Sequence, residues 1–337
     1  MQVSRRKIVV LGTGGTIAGT AQAPNDNLGY RAAQLGVADL LSAIPGLNHL
    51  AIVTEQVAQI DSKDMSLDIW RQLALRCAHW LDQDDVQGLV IMHGTDTLEE
   101  TAFFLQTVLA PAKPVVLTCA MRPATSLAPD GPQNLVDAIS VASFEGALGV
   151  VAVCAGVIHS AYDVAKIHTY RLDAFGSGDA GPIGQVQEGR LVLTRNWPVA
   201  RTQWSQPAIE NIASVIRWPR VEIVTNYVGA SGAIVQALQA QGVDGIVAAG
   251  TGNGTLNSGL EDSLRQAQAE GVRVVRATRC ANGRVLAHSK DVLPDSQGLS
   301  PVKARIALML ELFAAGLSES KNGPFGGQRS VGAKLLP

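Results

Sequence analysis

Short, almost wholly apolar runs alternate along the chain with longer stretches in which apolar residues recur every three or four positions. The runs include Ile8–Leu11, Leu89–Met92, Val115–Leu117 and Val150–Val153. Brief and rich in β-branched residues, they predict strands covered on both faces, as in a parallel sheet. Between them, Trp70, Leu73, Cys77 and Trp80 follow helical spacing, and so do Leu98, Ala102, Leu105 and Leu109. Strands alternating with helices predict an α/β fold with right-handed crossovers.

The rhythm weakens after about residue 185. The stretch from Gln187 to Pro219 holds Pro198, Pro207 and Pro219 with Trp197, Trp204 and Trp218, and reads as a connection. Alternation then resumes: strand Val221–Thr225, helix Ser231–Gln241, strand Gly245–Ala249, helix Gly259–Ala269, strand Val272–Ala277 and a last helix Pro301–Leu317. Pro301 suits a first helical turn, where its missing N–H is not needed. The expected domains are therefore 1–188, which carries the chemistry, a linker 189–219, and a C-terminal α/β domain 220–337. The glycine-rich tail from Asn322 is expected to be loose.

Composition narrows the class. A chain of 337 residues exceeds one ordinary core, and 47 % hydrophobic with 17 % charged residues is the make-up of a folded protein. The formal net charge of -2, without blocks of like charge, argues against nucleic acid or a membrane surface as partner. Ile8–Leu11 is shorter than the roughly 7–15 apolar residues of a secretory signal, and no run approaches the ~20 of a membrane span. The expected location is cytoplasmic. Cys77, Cys119, Cys154 and Cys280 lie far apart without a CxxC pair and read as buried, reduced thiols. His49, His79, His159, His168 and His288 show no metal-binding spacing, so no metal is expected.

Two segments carry chemistry. In Val9-Val10-Leu11-Gly12-Thr13-Gly14-Gly15-Thr16-Ile17-Ala18-Gly19, a buried strand runs into a glycine-rich turn that holds two hydroxyls. Open α/β folds bind ligands at such strand ends. A dinucleotide fingerprint fails because Ile17 stands where the third glycine belongs, and no Gly-Lys-Ser/Thr follows. A tight structural turn is the competing reading. In Gly88-Leu89-Val90-Ile91-Met92-His93-Gly94-Thr95-Asp96-Thr97-Leu98-Glu99-Glu100, a second strand delivers polar residues to its end just as a helix starts. Capping by Asp96 or Thr97 accounts for one such residue but not for the whole set. No Gly-x-Ser-x-Gly elbow occurs, which argues against a serine hydrolase.

With these segments in order, the chain resembles the bacterial-type L-asparaginase family, which includes the glutaminase-asparaginases. The resemblance runs from about Lys7 to Leu317. It extends to Ile60-Asp61-Ser62-Lys63-Asp64-Met65, Ala120-Met121-Arg122-Pro123, Asp130-Gly131-Pro132-Gln133-Asn134-Leu135, Asp163-Val164-Ala165-Lys166 and Ala249-Gly250-Thr251-Gly252-Asn253-Gly254. It implies a two-domain α/β fold, with a larger N-terminal mixed and parallel sheet flanked by helices and a smaller, flavodoxin-like C-terminal domain. It also implies an amidohydrolase that converts L-asparagine to L-aspartate and ammonia, without a cofactor. By position, Thr16 is the nucleophile, Tyr30 the lid tyrosine that helps activate it, and Thr95, Asp96 and Lys166 a second hydroxyl–carboxylate–amine set. Loop N–H groups including those of Gly15 and of the Thr95 region would stabilise the oxyanion. Ser62 matches the hydroxyl that holds the substrate carboxylate, and Asp96 matches the partner of its ammonium. Lys63, Ala120, Asn253 and Asp291 complete the implied binding residues.

The resemblance also implies a homodimer or homotetramer, with sites formed between subunits. Lys63 stands where the family usually has Gln or Glu, and Thr255 where Asn or Ser is common. The stretch Arg279 to Ser300 is short, and Asp291 is the nearest candidate for the neighbouring subunit's acid. These departures bear on the balance between glutamine and asparagine. A glutaminase-asparaginase, or a non-catalytic asparagine or aspartate binder on the same scaffold, are the rival readings; a binder would be expected to lack Thr16 or Lys166, and both are present.

Overall fold

The structure is a computed structural model that describes residues 6–47, 50–201, 207–286, 288 and 292–322, with side chains of the last helix described to residue 316. Asp291, Trp204, His49 and the tail beyond 322 lie outside the described residues. The chain divides into two compact units. One holds the chain to Arg201 with Ala208–Ser214 and Cys280–Gly283; the other holds Val215–Arg279 and the chain from Arg284.

The first unit runs β1 (Lys7–Gly14), α1 (Val37–Ser42), β2 (Ile52–Ile60), α2 (Leu67–Leu81), β3 (Val86–Met92), α3 (Leu98–Leu109), β4 (Pro114–Thr118), α4 (Gly131–Ala142) and β5 (Gly149–Cys154). It continues through β6 (Val157–Ser160), β7 (Ala165–Lys166), β8 (Phe175–Gly176), β9 (Gly184–Gln187), β10 (Arg190–Leu193) and α5 (Ile209–Ala213). Eight strands form one sheet in the order β10-β9-β6-β5-β4-β3-β1-β2, while β7 and β8 pair separately. Strands β1 to β5 are parallel, and β6, β9 and β10 are added antiparallel. This is the mixed sheet the resemblance implied. Within its parallel part β2 and β3 lie on opposite sides of β1, so the order reverses there. Open α/β folds bind ligands at the carboxyl ends of the strands beside such a reversal, here β1 and β3.

The apolar runs become strands because both faces of the sheet are covered. On β3, Val90 and Met92 face a core with Ile139 and Leu135 of α4 and with Val37 of α1. Helices α2 and α3 pack on the sheet through β3 and β5. Trp70 stacks on Phe104 between them, with ring centroids 4.7 Å apart. Each fully buried aliphatic side chain of this kind contributes about 1.5–3 kcal/mol.

The structure differs from the sequence reading in three places. Within the stretch read as a linker, Arg190–Leu193 form β10. The turn before it uses Glu188 and Gly189, both at positive φ (49° and 72°), which is the geometry of a two-residue hairpin. Cys280–Gly283 belongs to the first unit, where the Asp179 carboxylate accepts the Gly283 N–H at 3.0 Å. Cys280 is exposed, whereas Cys77, Cys119 and Cys154 are buried as expected.

The second unit contains β11 (Val221–Thr225), α6 (Ala233–Ala240), β12 (Gly245–Gly250), α7 (Ser258–Ala269), β13 (Arg273–Thr278) and α8 (Pro301–Asn322). Its three strands are parallel and in sequential order. Helices α6 and α7 pack together, and α8 lies across all three strands.

Candidate active site

Strand β1 ends in a bulge between Gly12 and Gly14, and the chain then turns sharply. Gly14 and Gly15 have φ of 103° and 80°, a region that residues with a Cβ rarely adopt. A Cβ on Gly15 would overlap Gly94 Cα, and one on Gly94 would overlap Ser62 Oγ. Bare backbone at both positions is therefore what lets the loops after β1 and β3 touch. The Thr13 hydroxyl adds a tie between them by donating to the Met92 carbonyl at 2.9 Å.

Thr16 and Thr95 follow these two glycines directly, and both are buried. The Thr16 and Tyr30 hydroxyls share a hydrogen bond of 2.7 Å. Gly19 makes room for the tyrosine, since a Cβ there would come within 2.9 Å of its ring. The segment that carries Tyr30 is closed by a Thr20–Arg31 bridge, and its Pro24–Gly29 part is held by the Asp26 carboxylate, which accepts the N–H groups of Leu28 and Gly29. Those two bonds hold the Asp26 carboxyl below its ordinary range.

At the second loop, Lys166 Nζ donates to Thr95 Oγ1 at 2.7 Å and to Asp96 Oδ1 at 2.6 Å. Lys166 comes from β7, far along the chain, which Arg195 steadies by donating to Asp163 at 3.1 Å. Ser62 Oγ accepts the Asp96 N–H at 3.2 Å, and the Ser62 carbonyl accepts the Thr97 hydroxyl at 2.8 Å. A serine oxygen that accepts one N–H keeps its own proton to donate, as a carboxylate would require. The open depression beside Asp96 and Lys166 measures about 440 Å³ and is lined further by Ile167, His168 and Thr169.

His93 underpins this loop. Its Nδ1 lies 2.7 Å from the Gly94 carbonyl and its Nε2 lies 2.9 Å from the Thr101 hydroxyl, which also accepts the Trp70 indole N–H at 2.8 Å. A carbonyl only accepts, so Nδ1 carries the proton, and Nε2 accepts from Thr101. The chain of donors is complete when the imidazole is neutral. Burial favours that form and lowers the His93 pKa to about 4, against a smaller opposing effect of the Gly94 bond.

Other expected residues are placed differently. Gly15 donates its N–H to the Ile60 carbonyl at 2.9 Å, so this N–H is committed to the neighbouring strand. Lys63 turns to Asp61 at 2.6 Å and Asp64 at 3.5 Å on the surface. Ala120 is buried just past β4, and the next two N–H groups, of Met121 and Arg122, are accepted by the Asp130 carboxylate at 2.9 Å each. Asn253 lies in the second unit, where its amide bonds both polar groups of the Leu286 backbone at 2.7 and 3.0 Å. The sequence reading gives Thr101, Trp70 and Asp130 no part in the site. Their signal was position alone: Thr101 eight residues after His93 on the following helix, and Asp130 heading a matched segment. Among the described residues, no group of three or more His, Cys, Asp or Glu side chains is arranged to hold a metal ion. No helix among them is long and apolar enough to cross a membrane.

Hydroxyls, a carboxylate and an amine gathered on touching loops at the switch point of an α/β sheet are the make-up of an enzyme site for a small polar substrate. Comparison with known proteins then gives the family. Residues 7–199 match the model for the N-terminal asparaginase domain, and residues 220–321 match that for the glutaminase/asparaginase C-terminal domain. L-asparaginase 2 of Bacillus subtilis is 38% identical over 312 residues, covering 90% of this chain and 82% of that protein. Glutaminase-asparaginase of Pseudomonas fluorescens is 38% identical over 316 residues, covering 90% and 86%. The crystal structure of a probable cytoplasmic L-asparaginase from Campylobacter jejuni superposes with a TM-score of 0.84 at 36% identity, covering 91% of this chain and 94% of that one. The chain belongs to the asparaginase family of amidohydrolases.

Proposed function

We propose that this chain hydrolyses the side-chain amide of L-asparagine, giving L-aspartate and ammonia through an ester on Thr16. The observation that supports this best is the meeting of two polar pairs on touching loops: Thr16 with Tyr30 at 2.7 Å and Thr95 with Lys166 at 2.7 Å. In this reading the Thr16 oxygen attacks the amide carbon, its proton passes by way of the Tyr30 hydroxyl to the departing nitrogen, and ammonia leaves. Water then cleaves the ester, polarised by Thr95 and Lys166. A hydroxyl needs such partners because it is a weak nucleophile at its ordinary pKa. Ser62 holds the substrate's α-carboxylate and Asp96 its α-ammonium. A substrate that lacks either charge leaves a polar group unpaired, which is the basis of selectivity.

The reading extends to the catalytic N-terminal domain 1–188, to a homodimer or homotetramer in which Asn253 and Asp291 serve a neighbouring subunit's site, and to a cytoplasmic location that cell fractionation would test. Relatives of both kinds at 38% identity keep a second reading in view, a glutaminase-asparaginase with comparable activity on L-glutamine. Ammonia release from L-asparagine, L-glutamine and D-asparagine, measured side by side, separates them. Asparagine is expected to lead, and Thr16→Val is expected to lower kcat by roughly three orders of magnitude or more, as for other lost nucleophiles. Full activity in Thr16→Val would refute the assignment.

A further inference from the structure

Two of the four thiols meet. Strands β4 and β5 run parallel with Thr118 opposite Val153, so Cys119 and Cys154, one position further on, leave neighbouring strands side by side. Their sulfurs lie 3.3 Å apart, and both residues are buried. Neighbouring strands are spaced about 4.8 Å apart, which falls within the Cα separation of about 4.4–6.8 Å that a disulfide spans. Closing the sulfurs to a bond of about 2.05 Å is a small side-chain adjustment. The backbone around them is tied together. The Thr118 hydroxyl donates to the Val153 carbonyl at 2.8 Å. Asn134 donates from Nδ2 to the Cys119 carbonyl and accepts the Ala155 N–H at Oδ1, each at 2.9 Å.

We propose that Cys119 and Cys154 form a covalent modification site, joined by exchange with a low-molecular-weight disulfide while the chain folds, and that the folded protein then preserves whichever state it acquired. One cysteine thiolate attacks the small disulfide and displaces a small thiolate. The second cysteine attacks the protein sulfur of the mixed disulfide and displaces the other. One protein S–S bond forms, one small-molecule S–S bond breaks, and two small thiols leave with the two protein protons. Access to both sulfurs exists before the sheet closes over them. Afterwards burial excludes oxidant and reductant alike. The hydrogen bond shared with Cys154, with burial, also pushes the Cys119 thiol well above its ordinary range, so little thiolate forms. Cys77 is buried within α2 and Cys280 is exposed. This inference does not depend on which amide the protein hydrolyses.

The test compares reduced native protein with denatured protein refolded in the same mixture of reduced and oxidised glutathione. Both are quenched with acid, alkylated under denaturing conditions and mapped by peptide mass. The refolded sample is expected to contain the linked Cys119–Cys154 peptide in at least tenfold excess over the native one, whose glutathione should sit on Cys280. Cys154→Ser should abolish the linked peptide, and Cys280→Ser should leave it. Where refolding yield is low, cell-free synthesis in the same buffer replaces it. Folded protein made in that buffer with both thiols still alkylatable would overturn the proposal. So would native protein that links the pair as fast as Cys280 takes up glutathione.

Discussion

Lys166 donates to two oxygens on one loop, Thr95 Oγ1 and Asp96 Oδ1, at 2.7 and 2.6 Å. Its ion pair with Asp96, whose side chain is 51% exposed, contributes little to stability, as exposed pairs contribute about 0–1 kcal/mol. Its contact with Thr95 is where function would lie. Lys166→Met is therefore expected to lower kcat by roughly 10²–10⁴-fold, the usual loss for a proton-transfer group, while thermal unfolding shifts by only a few degrees. Ammonia release and calorimetry on the same preparation check both halves. His93 makes the opposite case, a residue inside a signature whose part is structural. Its pKa is lowered from 6.5 to about 4, so between these values the unfolded chain binds a proton that the native chain refuses. The stability it contributes is thus present above about pH 6.5 and lost as pH falls toward 4, about 3 kcal/mol in all at 1.36 kcal/mol per unit. Urea unfolding between pH 4 and 7 should show a steeper rise of stability with pH in wild type than in His93→Gln. Equal slopes would show that His93 is not neutral in the native state.

At the scale of elements, the site exists because two strand ends approach without side chains between them. Gly94→Ala puts a Cβ on Ser62 Oγ and 3.1 Å from Gly15 Cα. A cost of about 1–3 kcal/mol is expected from such overpacking. Activity should fall much further, because Ser62, Thr95 and Thr16 all move with these loops. Urea midpoints and kcat/KM from one sample decide it: a variant destabilised but fully active would separate the loop contact from the chemistry. A second device holds the outer parallel strand. Glu55 on β2 accepts two bonds from Arg76, at 2.6 and 3.0 Å, and one from the Trp80 indole at 2.7 Å, both on α2. Glu55→Ala should cost about 1–3 kcal/mol by leaving those donors half-buried and unpaired, read as a lower urea midpoint with kcat unchanged. The parallel strands were legible as elements, since continuous apolar runs have few other uses. The antiparallel additions were not. Their turns, Ala155-Gly156 and Glu188-Gly189, all have positive φ, yet neither has the Asn-Gly or Asp-Gly pair that marks such hairpins most clearly.

For the whole molecule, the proposed reading needs more than one chain, because residues of the second domain are assigned to a neighbour's site. Light scattering is expected to give a mass that is a multiple of 35.3 kDa. Dilution that produces monomers should abolish ammonia release in parallel. A fully active monomer would require every residue of the site to come from a single chain.

By itself, the sequence determined the class of fold and the two loops where chemistry sits. Burial on both faces leaves its mark as unbroken apolar runs, and glycines beside hydroxyls mark backbone that must turn sharply. It also named Thr16, Tyr30, Thr95, Asp96 and Lys166, through order along the chain and family likeness. Only the tertiary structure decided which of these meet. The β1 reversal, the bare contact of Gly15 with Gly94 and the arrival of Lys166 from a strand seventy residues after Asp96 are long-range events. Local periodicity carries no information about such distances. The same holds for the commitment of the Gly15 N–H to Ile60 and for the meeting of Cys119 with Cys154, which depend on strand register rather than on any neighbour in the chain.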